Sequence, residues 1–223
     1  VRVGAAMHSY PYYRTNQSNG IITVSGEHTL YVDPDQALVS IGIVTNDKEL
    51  EVAQNENKQL SNQVVQSLLN NGVRRQDIQT STYQVLPQYQ FEDGKQTFTG
   101  YEVRQVFRVT VKSIEKVGKI IDDALKSGAN RVENIQFIQS NPIESYQQAL
   151  ALAYQEAYQK ALTLSNQSNQ QLNPQPKSIT EQSRPSAVPF MNTAYLKAAD
   201  ESTAVQPGQI AVTAIITVEF RTH

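Results

Sequence analysis

Few residues in this 223-residue chain combine a reactive type with a reactive spacing. The histidines are His8, His28 and His223, and the first and last lie in ends expected to fray. A serine–histidine pair would have to use Ser25 and His28. Residues three apart on a strand have opposite parity and point to opposite faces, so His28 is expected to be a surface or edge-strand histidine. Carboxylates are paired at Asp33 and Asp35, at Glu92 and Asp93, and at Asp122 and Asp123. The first two pairs sit in turn-forming stretches, where aspartate is favoured for local hydrogen bonding. The third falls on a helix surface. Acid–base catalysis or metal binding would need these groups to converge in space, which their spacing does not provide. With no cysteine, the chain lacks disulfides, thiolate catalysis and sulfur-ligated zinc. Gly26 and Gly42 are lone strand glycines, which mark bulges or close backbone approach rather than a phosphate loop. Arg74, Arg75, Arg104 and Arg108 are too sparse for a nucleic-acid face. The net charge of −2 gives no electrostatic reason to expect nucleic acid or anionic membrane as a partner. No catalytic, cofactor-binding or metal-binding residue is therefore expected. The tyrosines are the more informative polar group. Tyr146, Tyr154 and Tyr158 fall on a helix and Tyr83, Tyr89 and Tyr101 on strands, which suits either an interface or helix-on-sheet packing.

The element that organises these positions is a long helix from Asn141 to about Ser168. Asn141 can cap it, Pro142 suits its first turn and Glu144 can complete a capping box. Ile143, Tyr146, Leu150, Ala153, Ala157, Ala161 and Leu164 recur at steps of three or four, which lines one face. The alanines allow something broad, such as a sheet, to approach closely. The asparagine–glutamine run from Asn166 to Gln171 ends it, with low-complexity disorder as the alternative reading.

Strands are expected from Ile21 to about Val32 and from Ala37 to Thr45. The second carries apolar residues on both faces and is expected to be central. Lys48 to Asn70 reads as a helix with Leu50, Ala53, Leu60, Val64 and Leu68 on its apolar face and Gly72 at its end. Ile78 to Leu86 is the next strand, which Pro87 ends or places at an edge. Glu92-Asp93-Gly94-Lys95 is a hairpin turn leading into a strand from Phe98 to Val111. Ile114 to Lys126 is a helix closed by Gly128, and Val132 to Ile138 is a strand. After the long helix come a short strand at Ser178 to Glu181, a loop over 183–206 with a helical turn around Ala194 to Ala199, and a strand from Gln209 to Phe220. The stretches Leu69–Arg74 and Leu125–Arg131 echo each other. Each closes a helix with glycine and returns to a strand, which suggests two strand–helix–strand units sharing one sheet.

Residues 1–19 read as a disordered tail and 20–223 as a single domain, with 183–206 as a flexible lid or loop insertion. The tail has no apolar middle region, so it does not read as a signal peptide. Either the chain is not exported by that route or its sequence starts after the signal, with Met7 rather than Val1 as a further candidate for the true start. No apolar run reaches the roughly 18 residues that span a bilayer.

Several ordered stretches resemble one bacterial family, the SIMPL-domain proteins (YggE-like chains and those similar to the Brucella periplasmic immunogenic protein). They are Ile22-Thr23-Val24-Ser25-Gly26-Glu27 with Asp33-Pro34-Asp35-Gln36-Ala37, Val117 to Ala124 with Ser127-Gly128-Ala129-Asn130, the alanine-rich Ala149 to Ala161, and Pro207-Gly208-Gln209-Ile210. The resemblance spans about Gly20 to Phe220. It implies an α+β fold, a mostly antiparallel sheet packed by one long and two shorter helices, as paired dodecin-like units with a loop or lid insertion. It also implies assembly into closed oligomers, export in many members, a loose link to oxidative stress, and no established enzymatic activity. The chain departs from the pattern after the long helix, where Asn169-Gln170-Gln171-Leu172-Asn173 replaces the usual glycines.

The expected function is that of a non-enzymatic, homo-oligomeric envelope or surface protein. Phe190, Met191, Tyr195 and Leu196, apolar residues in a polar loop, are its candidate contacts. The alternative is a small-ligand binding module with a pocket between long helix and sheet. A third reading is an enzyme whose carboxylates converge only in the fold.

Overall fold

The computed structural model describes residues 20–92, 94–182, 187–189, 203 and 205–223. Among them the fold is α+β, with two four-stranded antiparallel sheets and three α-helices. In chain order the elements are β1 (Gly20–Val32), β2 (Gln36–Asp47), α1 (Leu50–Asn70), β3 (Ile78–Glu92), β4 (Lys95–Val111), α2 (Val117–Lys126), β5 (Arg131–Ile138), α3 (Pro142–Gln167), β6 (Leu172–Glu181), β7 (Ala187–Pro189) and β8 (Ile210–Thr222). The described residues fall into two compact units, one within Thr29–Gln147 and Pro185–Thr213, the other within Val1–His28, Gln148–Arg184 and Ala214–His223.

In the first unit, β2-α1-β3 and β4-α2-β5 are two strand–helix–strand segments. Their strands interleave in the order β3-β4-β2-β5, with every neighbouring pair antiparallel. Each segment's two strands are thus separated by one strand of the other, the split βαβ arrangement. This is the sheet-sharing pair that the echo between Leu69–Arg74 and Leu125–Arg131 suggests. The central place expected for β2 is observed: Ala37, Val39, Ile41 and Ile43 are fully buried. Ile41 lies opposite Phe107 and Val39 opposite Val109, so the two middle strands present one continuous apolar face. Val64 and Leu68 of α1 and Val117, Ile120, Ile121 and Ala124 of α2 cover that face.

The edge strand β3 runs six residues past Leu86, through Pro87 and on to Glu92. Proline lacks the N–H that a central strand must donate, but β3 has a partner on one side only, so the ladder tolerates it. The strand β7 is a further difference. It pairs with β8 inside the segment read from sequence as a loop, with Ala187 opposite Val212 and Pro189 opposite Ile210.

In the second unit, α3 buries the alanines of the stripe its spacing suggests, Ala153, Ala157 and Ala161, but not the bulky residues at the stripe's ends. Ala149, Ala153, Ala157 and Ala161 are fully buried and Ser165 nearly so, whereas Leu164 is half exposed. The residues recur every four positions, so the contact follows one ridge of the helix. Ile143, near the start of the same helix, is also exposed, at 62%. The reason is close approach: a Cβ placed on Gly26 of β1 would lie 1.9 Å from the Ala153 carbonyl oxygen and 2.9 Å from the Ala157 Cβ. Only small residues fit along that ridge, so the bulkier leucine is turned aside. Strand β8 supplies Ala214, Ile216, Val218 and Phe220, all buried, with the Phe220 ring meeting Tyr158 edge-on at 5.8 Å.

All three helices stop in the same way. The N–H of Val73 bonds the Leu68 carbonyl, that of Ala129 the Ala124 carbonyl, and that of Gln170 the Ser165 carbonyl. The residue before each takes positive φ: Gly72 at 85°, Gly128 at 109° and Asn169 at 53°. These are Schellman closures, in which a left-handed residue lets the next N–H satisfy an orphan carbonyl. Asparagine, the non-glycine residue best suited to that conformation, therefore stands in for the missing glycine after α3.

Candidate functional site

The residues singled out for chemistry turn out to be dispersed. His28 is half-buried on β1 and Ser25 is exposed, as their parity requires. The Ser25 carbonyl accepts from Lys160 Nζ at 3.0 Å. Asp35 accepts from the Ser140 N–H at 2.7 Å and also from its hydroxyl, which ties the β1–β2 turn to the segment before α3. Asp33 accepts from Gln209 Nε2 at 3.2 Å. Asp122 accepts from the Thr203 N–H at 3.0 Å and from its hydroxyl, while Asp123 pairs with Lys119. Glu92 accepts from Gln90 at 2.8 Å, and Asp93 lies outside the described residues. Among the described residues no three histidines or carboxylates are grouped to hold a metal ion.

The electrostatics agree with this dispersal. Hydrogen bonds from Arg74, Thr203, Lys119, Lys160 and Lys177 hold the carboxyls of Asp77, Asp122, Asp123, Glu156 and Glu219, respectively, below their ordinary values. A bond from its own backbone N–H does the same for Glu115. A lowered carboxyl is a poorer proton carrier near neutral pH.

Two features of the first unit could meet a partner. One is a polar cleft of about 440 Å³ between α1 and the β3–β4 side of the sheet. The apolar stripe of α1 is interrupted there by Asn57 and Ser61, both buried. Asn57 Nδ2 donates to the Ile43 carbonyl at 3.2 Å and the Val103 carbonyl at 3.1 Å, and Ser61 Oγ donates to Gln105 Oε1 at 3.0 Å. A bulge at Ser81 shifts β3 by one residue, so Thr80 lies opposite Phe107 and Tyr83 opposite Gln105, all on the cleft side. Lys58 and Arg75 stand at the cleft, and no carboxylate lines it. Sequence reading missed this cleft because Asn57 and Ser61 occupy core positions of a helix that also reads as amphipathic without them. Their spacing of four on the buried stripe was the available signal.

The other feature is the hairpin tip. Strand β2 pairs with β4 only as far as Asp47 opposite Tyr101, so from Gly100 outward β3 and β4 continue as a two-stranded ribbon. The ribbon carries Tyr89, Phe91 and Phe98, exposed by 50%, 72% and 45%. Phe98 meets Tyr89 edge-on at 5.7 Å and Tyr101 at 5.1 Å. The contacts proposed from sequence, Phe190, Met191, Tyr195 and Leu196, lie outside the described residues. Among the described residues no helix is long and apolar enough to cross a membrane.

The chain matches the model of SIMPL, a protein family of unknown function (DUF541), over residues 22–220. It is 27% identical over 209 residues to the 26 kDa periplasmic immunogenic protein of Brucella melitensis, covering 89% of this chain and 83% of that one. It is also 26% identical over 153 residues to the uncharacterized protein YggE of Escherichia coli strain K12, covering 69% of this chain and 62% of that one.

Proposed function

The chain belongs to the SIMPL family, and we propose that it is a non-enzymatic, self-associating protein of the bacterial envelope or surface. The envelope location rests on the relative named as periplasmic. The observation that carries self-association is the aromatic ribbon. A two-stranded ribbon is marginal in water by itself, and this one exposes Tyr89 and Phe91 on β3 and Phe98 opposite Tyr89 on β4, with the outer hydrogen-bonding groups of β3 facing no other described strand of the sheet. A second copy is the matching occupant. Paired about a two-fold axis, β3 meets β3 antiparallel, and each ribbon supplies the apolar surface that the other lacks. The 183–206 segment, with Phe190, Met191, Tyr195 and Leu196, is a second proposed contact, and deleting 185–205 is expected to lower the mass of the assembly. The loose link to oxidative stress cannot run through cysteine, since the chain contains none.

The test is a Phe91→Ser, Phe98→Ser double variant sized by light scattering. The expected result is a smaller particle with an unchanged circular dichroism spectrum. An unchanged mass removes the ribbon from the interface.

A small-ligand binding role is the second reading, supported by the polar cleft under α1. A shallower groove of about 570 Å³ along α3, lined by Val24, Gln159, Thr163 and Leu164 among others, is the counterpart of the pocket expected beside the long helix. A ligand that raises the melting temperature is the expected signature.

A further inference from the structure

We propose that the cleft between α1 and the β3–β4 strands binds a small polyhydroxylated anion of the sugar-acid class. The proposal rests on the ligand-binding reading and names what that ligand is.

On the floor of the cleft two amide oxygens share one hydroxyl donor. Ser61 has a single hydroxyl proton and faces two acceptors, Gln105 Oε1 at 3.0 Å and Asn57 Oδ1 at 3.4 Å. The nearer acceptor competes better for the proton, so Asn57 Oδ1, on a residue only 1% exposed, keeps the longer and weaker bond. Turning the Gln105 amide over lets its N–H bond Ser61 and frees the Ser61 proton for Asn57, but then Gln105 Oε1 is the oxygen without a donor. Either way, one amide oxygen at the floor calls for a hydroxyl or N–H from whatever fills the cleft.

The rim has the opposite need. Lys58 and Arg75 line the cleft without any carboxylate beside them, and neither has an ion-pair partner among the described residues. An anionic group meets them best. The exposed Tyr83 ring adds a flat face of the kind against which a sugar's C–H side can pack. A molecule with hydroxyl donors on one side, a ring in the middle and a carboxylate at the other end satisfies all three. The volume of about 440 Å³ lies in the usual range for small-molecule sites, roughly 300–1,000 Å³.

The experiment is calorimetric titration of the full chain with D-glucuronate and D-galacturonate, against D-glucose and inorganic phosphate as separate arms. Saturable binding of a uronate is expected, about tenfold or more tighter than either glucose or phosphate, because the charge-assisted and neutral contacts act together. Lys58→Gln with Arg75→Gln is expected to bring the uronate down to the glucose value. These are surface substitutions, so the fold is expected to persist. Gln105→Leu supplies a second readout: it removes one of the two acceptors, leaves the Ser61 proton to Asn57, and is expected to weaken uronate and glucose by the same factor. Glucose or phosphate binding as tightly as a uronate overturns the sugar-acid assignment while leaving a ligand site. Absence of saturation by all four probes at 10-fold excess over roughly millimolar affinity overturns the site itself.

Discussion

Replacing Gly26 by alanine tests how closely α3 approaches β1. The added methyl would sit 1.9 Å from the Ala153 carbonyl oxygen, 2.9 Å from its carbon and 2.9 Å from the Ala157 Cβ. A carbon ordinarily keeps about 3.5 Å from such neighbours, so strand and helix must separate by roughly 1.5 Å at that point. The obstruction is main chain, which has no alternative rotamer to adopt. The separation loosens contacts along the fully buried Ala149–Ala161 ridge. Overpacking of this kind costs about 3 kcal/mol, and the relief of glycine's backbone entropy offsets about 0.5–1 kcal/mol of it. The expected net loss is about 2–2.5 kcal/mol, a drop of about 4–10 °C in melting temperature for a chain of this size. Chemical denaturation monitored by circular dichroism measures it. Adding Ala157→Gly to Gly26→Ala removes one contact and leaves the carbonyl in place, so little recovery is expected. A Gly26→Ala protein within about 0.5 kcal/mol of the parent would refute the close approach.

Three further predictions concern the first unit, the helix ends and acid stability. Asn57→Asp replaces two buried N–H donors with a carboxylate facing the Ile43 and Val103 carbonyls, and is expected to cost more than about 3 kcal/mol at neutral pH, with part returning as the group is protonated in acid. Equal melting temperatures for the parent and Asn57→Asp would contradict the bonding described. Asn169→Gly is expected to be neutral or stabilising by about 0.5 kcal/mol, and Asn169→Ala destabilising by about 1 kcal/mol, because φ of 53° suits glycine, then asparagine, then alanine. The reverse order in urea melts would contradict the helix closure. Asp77, Asp122 and Asp123 are lowered from an ordinary value of 3.8, and Glu115, Glu156 and Glu219 from 4.5. A carboxyl lowered in the folded state stabilises fully above its ordinary value and loses that contribution as pH falls through the folded one. Stability is therefore expected to be flat from neutral pH to about pH 5 and to decline below, less steeply in Asp77→Asn. A decline that begins near neutral pH would point to other groups.

The sequence was most legible where one physical requirement acts alone. Alternation along β8 identified its buried face residue by residue, because a strand has only two faces. The glycines after α1 and α2 marked their ends, because positive φ excludes most side chains. It was less legible where the partner decides. The apolar period of α3 is satisfied by Leu150 and Leu164 as well as by alanines, and only the approach of Gly26 selects the alanine ridge. Pro87 marked an edge, but how far β3 runs beyond it depends on pairing with β4. The paired carboxylates were read as turn and surface groups, and the described ones serve there. The cleft was hidden because Asn57 and Ser61 look like interruptions in a helix until the strands beneath them are known. The aromatic ribbon was hidden for a related reason. Tyr89, Phe91 and Phe98 fit a buried strand equally well until the end of β2 at Asp47 leaves them uncovered.

The absolute mass of the full chain in solution, by light scattering behind a sizing column, is the most direct measurement of self-association. The expected result is a single species at a multiple of 24.9 kDa. A monomer of 24.9 kDa across the concentration range would contradict it.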